Sequence, residues 1–279
     1  MEWQLRRCSC YNSVLMLTST FVLLSGIGAV TERRLWHDGV LTWGHFLDAP
    51  RIPGLSADRK AWYDRDLALA QARYADADWS YFASRVPSRE HWRCFPLMPA
   101  RTLYLDIETT GGSPQEGEVT VVGLHRRGET VTLVRGENLT AARLQDELDD
   151  CALLVTFFGS RFDLPFLRAA FPGLHVTAPH FDLCFAARRL GWRGGLKQIE
   201  RDLGIDRPQA LQGLDGWDAV RLWHAWEHGD TSARDLLLAY NAADTANLEP
   251  LAGLIYDGLR ERFGPPASPV PAHALPRHH

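Results

Sequence analysis

The sequence predicts an α/β fold, a mixed β-sheet flanked by helices, on two observations. First, three strand-like segments follow one another closely at residues 102–110, 118–127 and 129–136, which indicates neighbouring antiparallel strands. Second, a helical segment at 140–150 leads to a strand at 152–159 that is apolar on both faces, as expected of a central strand. Strands followed by flanking helices in this arrangement define the α/β class.

The remaining elements complete this architecture. Residues 17–95 predict a small, mostly helical module, and the prolines within 95–101 indicate a linker. Arg127 and Gly128 form the predicted hairpin turn, and Thr140 is the predicted N-cap of the next helix. We assign residues 102–263 to the α/β domain, with short helices within 162–171 and 180–190, helices throughout 196–263, and a proline-rich, disordered tail at 264–279.

The bulk composition limits the possible functions. In 279 residues, 46% hydrophobic and 23% charged residues are ordinary for a soluble globular protein. A net charge of −4 argues against nucleic-acid binding by bulk charge alone, although a cleft can still be locally basic. The five cysteines include no C-x-x-C pair, so neither a disulfide framework nor a zinc site is indicated, and a reducing compartment fits.

The amino terminus allows two interpretations. Its basic start and apolar stretch are similar to a signal peptide, which would make the protein secreted. Against this, Thr18, Ser19 and Thr20 interrupt the apolar stretch, and Met16 can be the true start. We therefore set residues 1–16 apart as a spurious or disordered extension and expect a cytoplasmic protein. No stretch is long and apolar enough to predict a membrane span.

The strand at 102–110 carries two acids among apolar residues. Asp106 and Glu108 project from one face, with Cα atoms about 7 Å apart, and both lie near the carboxyl end of the strand, where α/β proteins commonly bind ligands. An unpaired buried charge is unfavourable, so the two carboxylates predict a shared divalent metal. The alternative is an ordinary strand with one solvated face.

Two later segments supply further acids. Asp163 follows the central strand and a Gly-Ser turn, and it is either a site residue or the cap of the helix after it. Tyr240 and Asp244 are four residues apart on a predicted helix, so they share a face. Taken alone, this pair also fits an ordinary helix with a half-buried tyrosine.

The order and spacing of D-x-E, F-D and Y-x-x-x-D over residues 102–257 resemble the DEDD exonucleases of the ribonuclease-H-like superfamily. Tyr240 stands at the position that marks the tyrosine subclass. The segments GSRFDLPFL, HFDLCFAARRL and LKQIERDLGIDR look most like the YprB-type ribonuclease-H-like domain. Family members commonly carry Asn-Gly before F-D, whereas this chain has Phe158 and Gly159.

The resemblance implies a two-metal-dependent 3′–5′ exonuclease that hydrolyses phosphodiester bonds at single-stranded DNA or RNA ends. It assigns Asp106, Glu108, Asp163 and Asp244 as ligands of two Mg²⁺ or Mn²⁺ ions, which prefer oxygen ligands. It assigns Tyr240 as the hydrogen-bond partner of the attacking water, since a tyrosine protonated at neutral pH orients water rather than acting as a base.

An alternative function follows from the departure at position 158. The missing asparagine amide can weaken substrate positioning, so a nucleic-acid-binding protein with an impaired nuclease site is the second hypothesis. DNA, RNA and a small nucleotide all remain candidate substrates.

Residues near the proposed ligands have open roles. Asp182 is a further candidate ligand, although a helix cap is the favoured interpretation, and His180 is expected to be a structural neighbour. Arg161 and a basic group further along can meet substrate phosphates or form a solvated surface. The basic group comprises Arg188, Arg189, Arg193 and Lys197.

Residues 23–36 resemble half of a helix–hairpin–helix, in which Gly26 and Gly28 permit a tight turn before a helix. The nearly balanced charge of residues 17–95 favours a structural role for this module over nucleic-acid binding.

Overall fold

The structure is a computed structural model that describes residues 16–95 and 97–266. The predictions made for residues 1–15 and for the tail from 267 onwards lie outside the described residues. Among the helices that are described, none combines the length and the apolar composition that a bilayer span requires.

The described residues divide into two units. The first holds residues 16–77 and 264–266. Its core buries aromatic side chains, among them Phe21, Phe46 and Tyr63. Helices α1 (Ala29–His37), α2 (Trp43–Asp48) and α3 (Ala57–Ala75) follow a 3₁₀ turn at Leu17–Ser19.

The turn predicted before α1 is present. Gly26 has a φ of +82°, a left-handed conformation that glycine adopts readily, and Gly28 is the N-cap of α1. The buried Glu32 side chain in the first turn accepts hydrogen bonds from the amides of Phe21 (2.6 Å) and Val22 (3.2 Å), which fixes the preceding segment against the helix. A role of this turn in nucleic-acid binding stays a prediction.

The second unit contains a five-stranded mixed sheet in the order β3-β2-β1-β4-β5. β1 pairs antiparallel with β2, and β2 with β3, while β1–β4 and β4–β5 are parallel. This topology confirms the predicted α/β class with an antiparallel hairpin at one side. The strands are β1 (Thr102–Thr109), β2 (Val119–Arg126), β3 (Glu129–Val134), β4 (Leu153–Thr156) and β5 (His180–Asp182).

Helices cover both faces of this sheet. Leu103, Leu105 and Ile107 on one face of β1 pack into a core with side chains of α5 and α6. On the other face, Val121 of β2 packs with Leu237 of the last helix. The helices are α4 (Trp79–Arg85), α5 (Ala141–Asp149), α6 (Asp163–Ala170), α7 (Leu183–Leu190), α8 (Leu196–Leu203), α9 (Gly216–Glu227) and α10 (Thr231–Phe263), with 3₁₀ turns at Ser88–Cys94, Pro99–Arg101 and Gln209–Leu211.

Two local signals in the sequence have the expected structure. Arg127 and Gly128 have φ angles of 56° and 79°, the left-handed pair of a type I′ hairpin turn. The Thr140 hydroxyl accepts the Arg143 amide at 3.2 Å and so caps α5.

Residues 78–95 lie with the sheet, whereas the sequence pattern grouped them with the helical module. Their side chains explain the difference. The buried Glu90 carboxylate accepts Arg189 of α7 at 3.1 Å, and His91 Nδ1 accepts the His180 amide of β5 at 2.9 Å. These long-range contacts do not appear in the local helical periodicity.

The close approach of α10 to the sheet depends on Gly123. Gly123 pairs with Asp106 in the β1–β2 ladder. A Cβ atom placed on Gly123 would lie 2.0 Å from Thr245 Oγ1 and 2.5 Å from Asn241 Oδ1, both on α10. The missing side chain therefore lets α10 lie directly against β2 and bring its polar residues to β1.

We expect Gly123→Ala to lower the free energy of unfolding by about 1–3 kcal/mol, because the added methyl group overpacks this contact. Gly216→Ala at the start of α9 is the matched control, since a Cβ atom there meets nothing within 4 Å. Chemical denaturation of both variants measures the effect. Equal stability of the two variants would contradict the close approach.

Candidate active site

Three acids meet near the carboxyl end of β1. Asp106 and Glu108 project from β1, and Asp244 comes from α10. One carboxylate oxygen from each residue lies within 4.8 Å of the other two. Glu108 and Asp244 are buried, with 6% and 5% of their surface exposed, and Asp106 is partly buried. Helix α10 therefore adds its acid to the pair that the strand supplies.

Asp163 lies beside this cluster. It is the first residue of α6 and is buried. The backbone of Ile107 in β1 acts to lower the pKa of the Asp163 carboxyl, so this carboxyl lies close to the strand. Phe162 occupies the N-cap position of α6, so Asp163 lies in the first turn of the helix and not at its N-cap.

One cavity of about 810 Å³ joins the five residues that the sequence selected. This volume lies within the range of small-molecule sites. Arg188 and Lys197 from the basic group also line the cavity, as do Phe158 and Trp217. The five selected residues on its wall are Asp106, Glu108, Asp163, Tyr240 and Asp244.

Burial and mutual repulsion raise the pKa values of the acids. Burial, followed by the charges of Glu108, Asp244 and Asp163, raises the pKa of Asp106 well above its usual range. Burial and Asp244 raise the pKa of Glu108 to about 8, although Asn241 and Lys197 lower it. Burial raises the pKa of Asp163 to about 7. Without a bound cation, these acids therefore retain protons close to neutral pH.

Two cations contact Asp244. Lys197 Nζ lies 3.2 Å from Asp244 Oδ2, and Arg207 Nη1 forms an ion pair with Oδ1. Lys197 also donates a hydrogen bond to the Tyr240 hydroxyl, and its Nζ lies 4.4 Å from the centroid of the Tyr240 ring. Lys197 belongs to the basic group predicted near the site, whereas sequence reasoning missed Arg207.

Glu200 of α8 holds Arg207 against Asp244. Arg207 Nε and Nη2 bind the two carboxylate oxygens of Glu200 at 2.5 and 2.8 Å. The side chains of Glu200 and Arg207 are only 1% and 9% exposed. Burial disfavours the charge on Arg207, but Glu200 and Asp244 raise its pKa. Asp244 is thus oriented by two consecutive buried ion pairs, Glu200–Arg207 and Arg207–Asp244.

Asn241 provides a neutral donor to the acids of β1. Its Nδ2 lies 3.2 Å from Asp106 Oδ2 and 3.5 Å from Glu108 Oε1, and the residue is fully buried. Sequence reasoning missed Asn241 as well. A polar residue between the selected Tyr240 and Asp244 was the available signal.

The Tyr240 side chain is nearly fully buried beside the acids. Burial, followed by the charges of Asp244, Glu108 and Asp106, raises its pKa. Tyr240 is therefore a protonated hydroxyl at neutral pH, and its O–H is a hydrogen-bond donor rather than a base.

The neighbouring candidates have structural roles. Asp182 is the N-cap of α7, where its carboxylate accepts the Cys184 amide at 3.1 Å. His180 Nε2 lies 2.8 Å from Thr156 Oγ1, and burial lowers the His180 pKa to about 4. Neither residue joins the acid cluster among the described residues.

The donor set fits divalent cations. The clustered ligand atoms are all carboxylate oxygens, which Mg²⁺ and Mn²⁺ prefer. The four selected acids outnumber Lys197 and Arg207, the two cations that contact Asp244. Burial, together with neighbouring acids, raises the pKa values of three of them, so a charged cluster needs more positive charge than these two residues supply. A bound cation would supply it.

Comparisons with known proteins agree with this fold. A sequence model of the RNase H superfamily matches residues 103–256, more than half of the chain. The chain therefore belongs to the RNase H superfamily, and this membership supports a nuclease. No curated protein matches the sequence.

Solved structures that resemble this chain share little sequence with it. Brucella melitensis NrnC is 23% identical, with a TM-score of 0.46 over 60% of this chain and 78% of that chain. The Aedes aegypti Nibbler EXO domain is 16% identical, with a TM-score of 0.44 over 61% of this chain and 84% of that chain. The Pyrobaculum calidifontis family B DNA polymerase is 16% identical, with a TM-score of 0.46 over 59% of this chain and 24% of that chain.

Isosteric substitutions of two acids are expected to shift stability in opposite directions in EDTA at pH 8. Asp106→Asn removes a carboxyl whose ionisation is disfavoured by burial and by the neighbouring acids, and it should raise the melting temperature. Asp244→Asn removes the partner of Lys197 and Arg207 and should lower the free energy of unfolding by about 1–3 kcal/mol. Thermal and chemical unfolding measure both. Two shifts in the same direction would show that burial and repulsion at Asp106 do not destabilise the metal-free fold.

Proposed function

We propose that this protein is a two-metal-dependent 3′–5′ exonuclease acting on single-stranded DNA or RNA ends. The observation that carries the proposal is the convergence of Asp106, Glu108, Asp163 and Asp244 on one cavity. Membership in the RNase H superfamily supports phosphodiester hydrolysis. The 3′ direction, the single-stranded substrate and the tyrosine-subclass YprB-type assignment rest on the resemblance of the motifs. A cytoplasmic location rests on the sequence features described above.

The four acids have complementary parts in this proposal. Asp106, Glu108 and Asp244 would hold Mg²⁺ or Mn²⁺, and Asp163, beside them, would support the second ion. Bound ions of this kind activate a water molecule and stabilise negative charge on the scissile phosphate and the leaving oxygen. The acids alone cannot do this, because they would repel an anionic substrate.

The residues around the acids would position the reactants. Tyr240 would orient the attacking water with its O–H. Lys197 has 26% of its side chain exposed, so it can turn from Asp244 toward a substrate phosphate. Arg207 is tied to Glu200 and buried, so it would keep Asp244 oriented throughout the reaction.

A nucleic-acid-binding protein with an impaired nuclease site is the second candidate. Phe158 favours it, because asparagine usually stands at this position in the family that the sequence resembles. The two cations on Asp244 also compete with a metal for that carboxylate. The same assay separates the two candidates.

Single-stranded DNA and RNA carrying a 5′ label are expected to shorten stepwise from the 3′ end in Mg²⁺ or Mn²⁺. Asp106→Asn and Asp244→Asn should each reduce the rate more than about 100-fold, since even outer-shell residues of metal sites contribute 10–100-fold. Asp149→Asn, an exposed acid on α5, is the matched control.

Each outcome of this assay has a meaning. Shortening that depends on Asp106 and Asp244 supports the exonuclease. Binding without shortening supports the second candidate. Shortening at full rate in both variants would show that the site is wrongly assigned.

Metal binding is expected to stabilise the protein more at pH 8 than at pH 5.5. The folded-state pKa values of Glu108 (about 8) and Asp163 (about 7) lie above their unfolded values near 4. The stabilisation that these groups give the metal-free folded state is therefore complete below about pH 4, and it is lost progressively as pH rises to 7–8. Metal replaces the protons, so its effect should grow over the same range.

Thermal unfolding with and without Mn²⁺ at both pH values measures this linkage. Asp106→Asn should reduce the Mn²⁺-induced increase in melting temperature. An increase of the same size at both pH values would contradict proton–metal competition at these acids.

A further inference from the structure

Two aromatic side chains on the cavity wall are exposed. Phe158 is 37% exposed and Trp217 is 65% exposed, and both line the cavity that contains the acids. Large apolar side chains are normally buried. Exposed aromatic surface inside a concave site is consistent with a ligand that has a flat apolar group.

The backbone of Phe158 is unusual and firmly held. Its φ of +68° lies in the left-handed region, which a bulky residue rarely adopts. The Asp182 carboxylate accepts the amides of Phe158 and Ser160, each at 3.0 Å. Strained backbone of this kind is concentrated at ligand sites. Asp182, the N-cap residue of α7, therefore holds the backbone that carries the phenyl ring at the cavity wall.

The phenyl ring is supported from behind. The rings of Phe158 and Phe185 lie 5.8 Å apart between centroids, and the Arg188 guanidinium lies 5.3 Å from the Phe185 centroid. The Phe158 ring therefore packs against a second ring while 37% of the residue stays exposed. An exposed aromatic face of this kind is available for stacking.

The backbone of Trp217 is held by the start of a helix. It lies in the first turn of α9, where Asp215 and Asp218 form a capping box. The Trp217 amide donates to Asp215 at 2.8 Å. The helix start is therefore well defined, and Trp217 lines the same cavity.

We propose that Phe158 and Trp217 form a stacking subsite for the nucleobase of the nucleotide being removed. This inference rests on the proposed nuclease function. A nucleotide carries both groups that the cavity accommodates, a phosphate for the cation-binding acids and a flat base for the aromatic wall. Stacking depends little on base identity. The subsite therefore selects nucleotides that carry a base over abasic residues, and does so for any of the four bases.

Two oligonucleotides that differ only at the 3′-terminal residue test this inference. One ends in thymidine and the other in an abasic tetrahydrofuran residue. Fluorescence anisotropy in Ca²⁺ measures the two dissociation constants, and gels verify that the strands stay intact. We expect wild type to bind the thymidine-ended strand about tenfold more tightly, the size typical of one stacked base.

Phe158→Asn and Trp217→Ala should each move this ratio toward one. Asparagine tolerates the left-handed conformation, so Phe158→Asn removes the ring while the loop keeps its fold. Val131→Ala, which truncates an exposed side chain on β3, is the control and should keep the wild-type ratio. Melting temperatures verify that all three variants are folded.

The outcomes distinguish the two proposals. A ratio near one in wild type, or an unchanged ratio in both aromatic variants, overturns the stacking subsite even if the enzyme shortens both strands. Failure of wild type to bind or shorten either strand overturns the nuclease proposal together with the subsite that rests on it.

Discussion

The concentration of negative charge at the carboxyl end of β1 is the constraint on which the rest of the site depends. Asp106 and Glu108 come from the strand, and Asp244 is brought against them because Gly123 lets α10 lie close to the sheet. Like charges at this separation repel strongly where water is scarce. The surrounding residues act to offset that repulsion.

Three side chains offset the negative charge of the acid cluster. Asn241 donates to the acids of β1, Lys197 contacts Asp244 from a partly exposed position, and Arg207 contacts it from a buried one. These contacts do not outweigh burial and the neighbouring acids, which together keep the pKa values of Asp106 and Glu108 raised. A chain selected for stability alone gains nothing from such a cluster. Binding of a divalent cation gives it a physical reason.

Local pattern and motif order were enough to predict much of this molecule. The strand pattern gave the mixed sheet, and the spacing of the acids selected residues that the structure places on one cavity. The compensating residues were harder to find. Glu200 and Arg207 lie in a segment that reads as an ordinary amphipathic helix and loop, and their pairing with Asp244 appears only when distant segments meet.

Other features depend on atomic contacts that no local pattern shows. Glycine within a strand normally destabilises it. At Gly123, however, the absence of a side chain leaves the space that Thr245 of α10 occupies. Residues 88–94 contact the sheet through single side chains such as His91, which accepts the His180 amide of β5. Phe158 was recognised as a departure at an asparagine position, but its left-handed backbone, which asparagine tolerates well, explains that preference only in the structure.

The central claim is that these acids bind metal ions. In the metal-free protein, Lys197 and Arg207 supply only part of the positive charge that the metal ions would supply. Anomalous diffraction from crystals soaked in Mn²⁺ tests the claim most directly. The account predicts a peak bounded by Asp106, Glu108 and Asp244, a second toward Asp163, and a Lys197 amine displaced from Asp244. Crystals that show no peak at these acids, with the Lys197–Asp244 contact intact, would contradict it.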